Sequence, residues 1–213
     1  FTYLNNLRSV EFISYTNYNT HGTEISNISY FNKCNFIVND DNWFSQNNYQ
    51  FSAHVTMWDV NRISFSGCKF KNLSSGPSST GSRGRGIVVS SAGLSIDEYC
   101  YSGIYSFTNC LCLGTVERSE FTGLSYGVHA YNSGSSYSVE VDRSDFTNNA
   151  VGVYLSAYNN YEIKRCNFDL TNDDFTSNYL YGIQSSSCSG YTIEQNDFKT
   201  TYASVPNGPT GIR

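Results

Sequence analysis

A ten-residue pattern, written over and over, constrains this chain more than any other feature: "VEVDRSDFTN", "YEIKRCNFDL" and "YTIEQNDFKT" share one arrangement of hydrophobic, polar, small and phenylalanine positions. Anchoring each copy on its phenylalanine sets Phe36, Phe70, Phe121, Phe146, Phe168 and Phe198 in one register. Five residues earlier stand Phe31, Phe65, Val116, Val141, Ile163 and Ile193, and two residues earlier Cys34, Cys68, Ser119, Ser144, Cys166 and Asn196. A weaker copy is visible in Leu7, Val10 and Phe12. After the anchor comes a variable stretch and then glycine with a β-branched residue: Gly86-Ile87, Gly127-Val128, Gly152-Val153, Gly182-Ile183 and Gly211-Ile212.

Successive anchors lie 24, 34, 51, 25, 22 and 30 residues apart. A constant short pattern with loops of elastic length is the mark of a solenoid, because each coil must stack on the next while its corners are free to grow. In "EIKRCNF" the alternation turns Ile163, Cys166 and Phe168 inward, with Lys164 and Arg165 at an outward corner, which gives two short strands joined by a bend. The glycine segment supplies a third strand. Three strands per coil, about 4.8 Å from their equivalents, predict an all-β parallel β-helix of about seven turns with a ladder of phenylalanines inside. Insertions are expected near residues 37–55, 74–85 and 93–113, the last as an aromatic loop covering one side. The chain starts and stops in mid-pattern. It therefore reads as one segment, 1–213, of a longer protein whose flanking coils or domains cover the open strand edges.

The runs "YGVHAYNSGSSYSVEVDRSDFTNNAVGVYLSA" and "SGYTIEQNDF" resemble the right-handed parallel β-helix repeats of large secreted Bacteroidetes surface proteins, the kind exported by type IX secretion. The resemblance covers most of the chain and is strongest from Thr115 onward. It implies a right-handed coil and an extracellular or cell-surface location. It implies much less about activity, since the same coil carries polysaccharide lyases, hydrolases, adhesins and passive stalks.

Composition narrows the partners. With 39% hydrophobic and 16% aromatic residues, the 213 residues are enough for one substantial core. The net charge of −5, with the Lys and Arg dispersed, lacks the basic stripe of a nucleic-acid binder. No window approaches the roughly 18 apolar residues of a membrane span.

The seven cysteines divide by position. Cys34 and Cys68 share a template position in consecutive copies and are expected as stacked buried thiols, because parallel register seldom permits the disulfide torsion. Cys100 with Cys110 or Cys112 is the expected staple, since a loop without its own core gains most from one. Cys166 and Cys188 have no assigned partner. No Cys or His grouping has metal-site spacing, so neither a metal nor a cofactor is expected.

Catalytic candidates are outward residues in adjacent copies. Glu120 and Asp145 stand one residue before their anchors, a placement compatible with the carboxylate pair of a retaining glycosidase. Each has an arginine two positions earlier, Arg118 and Arg143, and alternating acids and bases read as a solvated charge network. "LTNDDF" shares Asn-x-Asp and Asp-Asp elements with polygalacturonase-like hydrolases but reads as a loop, as does "NDD" at 39–41. His21, His54 and His129 occupy different template positions.

The outward side of the third strand offers a different chemistry. Val88, His129, Tyr154, Gln184 and Arg213 follow the glycine signature, and Tyr126 and Tyr181 precede it. Tyrosines in such a column are platforms for sugar rings, apolar on the face and hydrogen-bonding at the tip. Tyr126, His129, Tyr154 and Tyr181 are accordingly the expected ligand-binding residues. A catalytic coil has to break its own pattern where the chemistry sits, and the best-matched turns vary conservatively. The expectation is thus an extracellular structural or adhesive segment that contacts cell-surface glycans or polysaccharide and self-associates. A polysaccharide lyase or glycoside hydrolase using Glu120 and Asp145 is the alternative.

Overall fold

In the computed structural model the described residues are 8–13, 17–18, 24–25, 29–38, 52–61, 63–73, 83–101, 114–134, 136–171, 180–200 and 209–213. They form three long parallel sheets, and none of them is helical. The first sheet, here the glycine sheet, has seven strands in the order Arg8–Ile13, Ala53–Trp58, Arg85–Ser90, Tyr126–Tyr131, Val151–Ser156, Tyr181–Ser186 and Thr210–Ile212. The phenylalanine sheet has six: Asn35–Val38, Lys69–Asn72, Ser119–Thr122, Ser144–Thr147, Asn167–Asp169 and Asp197–Lys199. The third, an alternating sheet, also has six: Ser29–Asn32, Ile63–Ser66, Leu94–Asp97, Val139–Asp142, Tyr161–Lys164 and Tyr191–Glu194. From Ser29 onward the chain visits the alternating, phenylalanine and glycine sheets in that order, again and again, which is consistent with a β-helical solenoid.

The template letters have physical reasons. Phe36, Phe70, Phe121, Phe146, Phe168 and Phe198 are paired in register, with ring centroids 4.7–5.0 Å apart and planes within 9° of parallel. Each glycine of the signature abuts this ladder. A Cβ on Gly127 would lie 2.8 Å from the Phe146 ring and 2.6 Å from the Gly152 carbonyl oxygen, so no side chain fits. The corner between the alternating and phenylalanine sheets is one residue in the left-handed region: Lys33, Gly67, Arg143, Arg165 and Gln195 all have φ between 42° and 61°. The corner amides continue the ladder, as where Arg143 N donates to Lys164 O at 3.1 Å and Arg165 N to Glu194 O at 3.1 Å. Where glycine follows phenylalanine after a short turn, buried Asn149 closes the backbone account, accepting from Leu124 N and donating to Phe121 O, each at 2.9 Å.

Three expectations change here. In the column that leads into Phe121, Ile96 and not Val116 lies between Phe65 and Val141. Leu94–Asp97 is a core strand, with Leu94 and Ile96 buried, so residues 94–97 are not loop. The chain departs instead at the next corner, as the antiparallel pair Tyr99–Cys100 and Val116–Glu117, and returns at Ser119. A corner is the one place where extra chain disturbs no strand. Gly67 accommodates this departure, since a Cβ there would meet Tyr99 Cβ at 2.7 Å, at a φ of +61°. Phe12, taken as a weak anchor, pairs with Met57 in the glycine sheet and meets Phe31 edge-on at 5.7 Å.

Cys34, Cys68, Cys166 and Cys188 are free thiols, and burial pushes Cys68 and Cys166 up to about 12. Cys100 is disulfide-bonded. Its expected partners Cys110 and Cys112 lie outside the described residues, as do His21, the "NDD" at 39–41, and Asp173 and Asp174.

Candidate functional site

The outer face of the glycine sheet is built by a kink. Along Tyr126–Tyr131, Gly127, Val128 and Ala130 are buried, whereas Tyr126, His129 and Tyr131 reach the surface. Two buried residues in a row at the glycine therefore put the residue before it and the residue two after it on the same outer side. In register this makes one column of Arg85, Tyr126, Val151, Tyr181 and Thr210, and beside it a column of Thr56, Val88, His129, Tyr154 and Gln184.

Three of the four expected residues touch one another. The His129 ring stacks on Tyr126 at 4.7 Å and 27°, and meets Tyr154 edge-on at 5.0 Å. Tyr126 and Tyr154 are themselves T-shaped at 5.9 Å, and Tyr131 joins His129 from the far side at 6.0 Å. Tyr181 is separate: Val151 stands between it and Tyr126, it is largely buried, and it accepts a 2.5 Å hydrogen bond from Arg213 Nη1, whose guanidinium also covers its ring.

Arg85, absent from the sequence-derived set, completes the patch. Its guanidinium carbon lies 5.8 Å from the Tyr126 ring centre. Arg85 Nε and His129 Nδ1 are both buried and have no hydrogen-bond partner among the described residues. Burial, with the Arg85 charge adding to it, lowers His129 to about 4, so the imidazole is neutral at neutral pH. The signal for Arg85 was in the sequence, since it precedes Gly86 as Tyr126 precedes Gly127.

Glu120 and Asp145 are register neighbours on the outer face of the phenylalanine sheet. Glu120 bridges Lys69 at 3.5 Å and Lys71 at 2.5 Å. Asp145 accepts from Arg118 Nε at 2.7 Å and Asn167 Nδ2 at 2.8 Å. Arg165 forks onto Asp142, and Arg143 lies 3.6–3.7 Å from Asp97, Glu98 and Asp142. His54 is fully buried at the glycine position of its strand, against Phe36 and Phe70. No group of three or more metal-ligating side chains occurs among the described residues.

Comparison with protein-family models, with curated proteins and with solved structures returns no match for this chain. The fold class therefore stands on its own geometry: an all-β chain of three stacked parallel sheets with one aromatic outer face.

Proposed function

We propose that this chain is a segment of an extracellular, cell-surface adhesive or structural protein, and that the outer face of its glycine sheet contacts glycans. The coil it forms is read as a right-handed parallel β-helix of about seven turns, the hand favoured for parallel crossovers. Further coils or domains of its own chain, or copies of itself, are the natural cover for its first and last strands. A Bacteroidetes source and type IX export follow from the resemblance of the repeats.

The observation that carries the reading is the cluster of Tyr126, His129 and Tyr154, in mutual contact on a surface otherwise made of alternating strand residues. Flat rings with polar tips bind the apolar face of a sugar while leaving its hydroxyls to hydrogen-bond. Rigid neighbours keep the platform formed before the ligand arrives, which spares ordering entropy on binding.

The test is retention of the purified protein on a panel of immobilised acidic and neutral polysaccharides, with release of unsaturated or reducing ends followed in parallel. Retention without turnover, lost in Tyr126→Ala with Tyr154→Ala, is the expected result. Retention that survives both changes together with Tyr181→Ala removes this face from consideration.

A further inference from the structure

On the other two outer faces Lys69, Lys71, Arg118 and Lys164 each pair with a carboxylate, but Arg85 does not. Its guanidinium forms no ion pair among the described residues, it lies over the Tyr126 ring, and its Nε is buried without an acceptor. His129 Nδ1, on the same patch, is likewise buried without a hydrogen-bond partner. A buried donor left unpaired forfeits the hydrogen bond it made to water, at a greater cost when it is charged. Two such nitrogens beside one aromatic platform describe a site whose acceptor comes from outside.

We propose that Arg85 and His129 form an anion subsite beside the Tyr126–Tyr154 platform, so that the polymer taken by this face is an acidic polysaccharide. This rests on the glycan reading above and names its substrate class. The anion is a uronate carboxylate or a sulfate ester, planar or multi-oxygen groups that an arginine fork recognises. Arg85 supplies the charge. The neutral imidazole, with its proton on Nδ1, supplies a directed hydrogen bond, while the sugar ring lies on Tyr126 and Tyr154. The polymer runs along the column, across successive strands about 4.8 Å apart. Arg213, over Tyr181, lies four strand steps from Arg85, or roughly 19 Å at that spacing, and gives the path a second cation.

The test uses the whole chain and three immobilised probes: polygalacturonate, its fully methyl-esterified counterpart, and a sulfated galactan. The ester keeps the backbone and removes the charge. Wild type is expected to hold at least one acidic probe about tenfold or more tighter than the ester, with Arg85→Gln or His129→Gln bringing affinity down toward the ester's level. Losing a hydrogen bond to a charged group corresponds to about a tenfold to hundredfold change. Lys164→Gln removes an equal charge from the alternating sheet, where Lys164 pairs with Glu162 at 2.8 Å, and is expected to bind as wild type. Thermal melts of each variant separate a lost contact from a lost fold. Whichever acidic probe is held identifies the anion. Equal retention of acid and ester, both lost in Tyr126→Ala, overturns the anion subsite and leaves the platform standing. Equal weakening by Arg85→Gln and Lys164→Gln also overturns it, as mere net charge. No retention of any probe overturns both readings.

Discussion

The outer faces of the phenylalanine and glycine sheets grow from the same template and treat charge in opposite ways. On the first, Lys69, Lys71, Arg118, Glu120 and Asp145 close on one another across neighbouring strands, so each of these three cations has its acid. On the second, Arg85 faces a tyrosine ring and His129 stacks among aromatics, each with a buried nitrogen unanswered. A ladder of complementary charges repeats without needing anything from outside and keeps a strand face solvated. A buried nitrogen left unanswered beside stacked rings is a cost that an outside acceptor would offset. On the proposed reading, one face serves the fold and the other serves the ligand.

The comparison breaks most completely if the shared support is removed. Phe121 is fully buried and stacked between Phe70 at 4.7 Å and Phe146 at 4.9 Å, beneath both faces. Phe121→Ala is expected to lose about 3–5 kcal/mol in urea denaturation, the usual range for emptying an aromatic site. Gly127→Val strikes the same ladder by overfilling, because its Cβ alone would sit 2.6 Å from Gly152 O. A loss below about 1 kcal/mol for Phe121→Ala would mean that the ladder is not the support claimed here.

A second perturbation acts through acid. His54 takes the position that glycine holds in the later strands, its Nε2 3.2 Å from the Lys71 carbonyl oxygen, and burial lowers its pKa to about 3. The unfolded chain binds a proton there below about 6.5, the folded chain only near 3. Stability is therefore complete above pH 6.5 and falls as pH drops toward 3, by at most about 1.4 kcal/mol per pH unit. His129, lowered to about 4, acts in the same sense. Asp97 opposes them: burial raises it to about 6, so its contribution is present below about 3.8 and lost as pH rises through 6. His54→Gly is expected to flatten the acid limb of the urea midpoint between pH 7 and 4. An unchanged slope would place the acid sensitivity elsewhere.

What the sequence revealed follows from where its information is local. The phenylalanine ladder and the outer column of His129 and Tyr154 were legible because inward and outward positions repeat at fixed offsets from one anchor. The occupant of the column before Phe121 was not. Val116 lies at the right offset, but the chain had already laid down Ile96 and left through a corner, and a spacing rule cannot see an excursion that ends in register. His54 was invisible as a core residue because its strand lacks the glycine by which the others were found. Tyr126, His129 and Tyr154 were predicted by position. Their mutual contact depends on ring orientations that no periodicity encodes, and Arg85 was passed over because it is not aromatic.

The smallest expected effect sharpens the contrast. Glu120→Gln and Asp145→Asn each remove one member of the charge ladder, where both side chains remain about one-third exposed. Exposed pairs contribute about 0–1 kcal/mol because water screens them and ordering two long side chains costs entropy. Each variant should shift the urea midpoint slightly, and the shift should shrink further in high salt. Polysaccharide retention should be unchanged, because neither residue lies on the glycine sheet. The same two variants also probe the hydrolase alternative. A retaining glycosidase needs one carboxylate free to attack and another able to donate a proton. Here Glu120 is held by two lysines and Asp145 by an arginine and an asparagine, so both carboxylates are occupied and neither is free to attack. Release of reducing ends by wild type, abolished in either variant while the fold persists, would transfer the function from the aromatic face to the charged one.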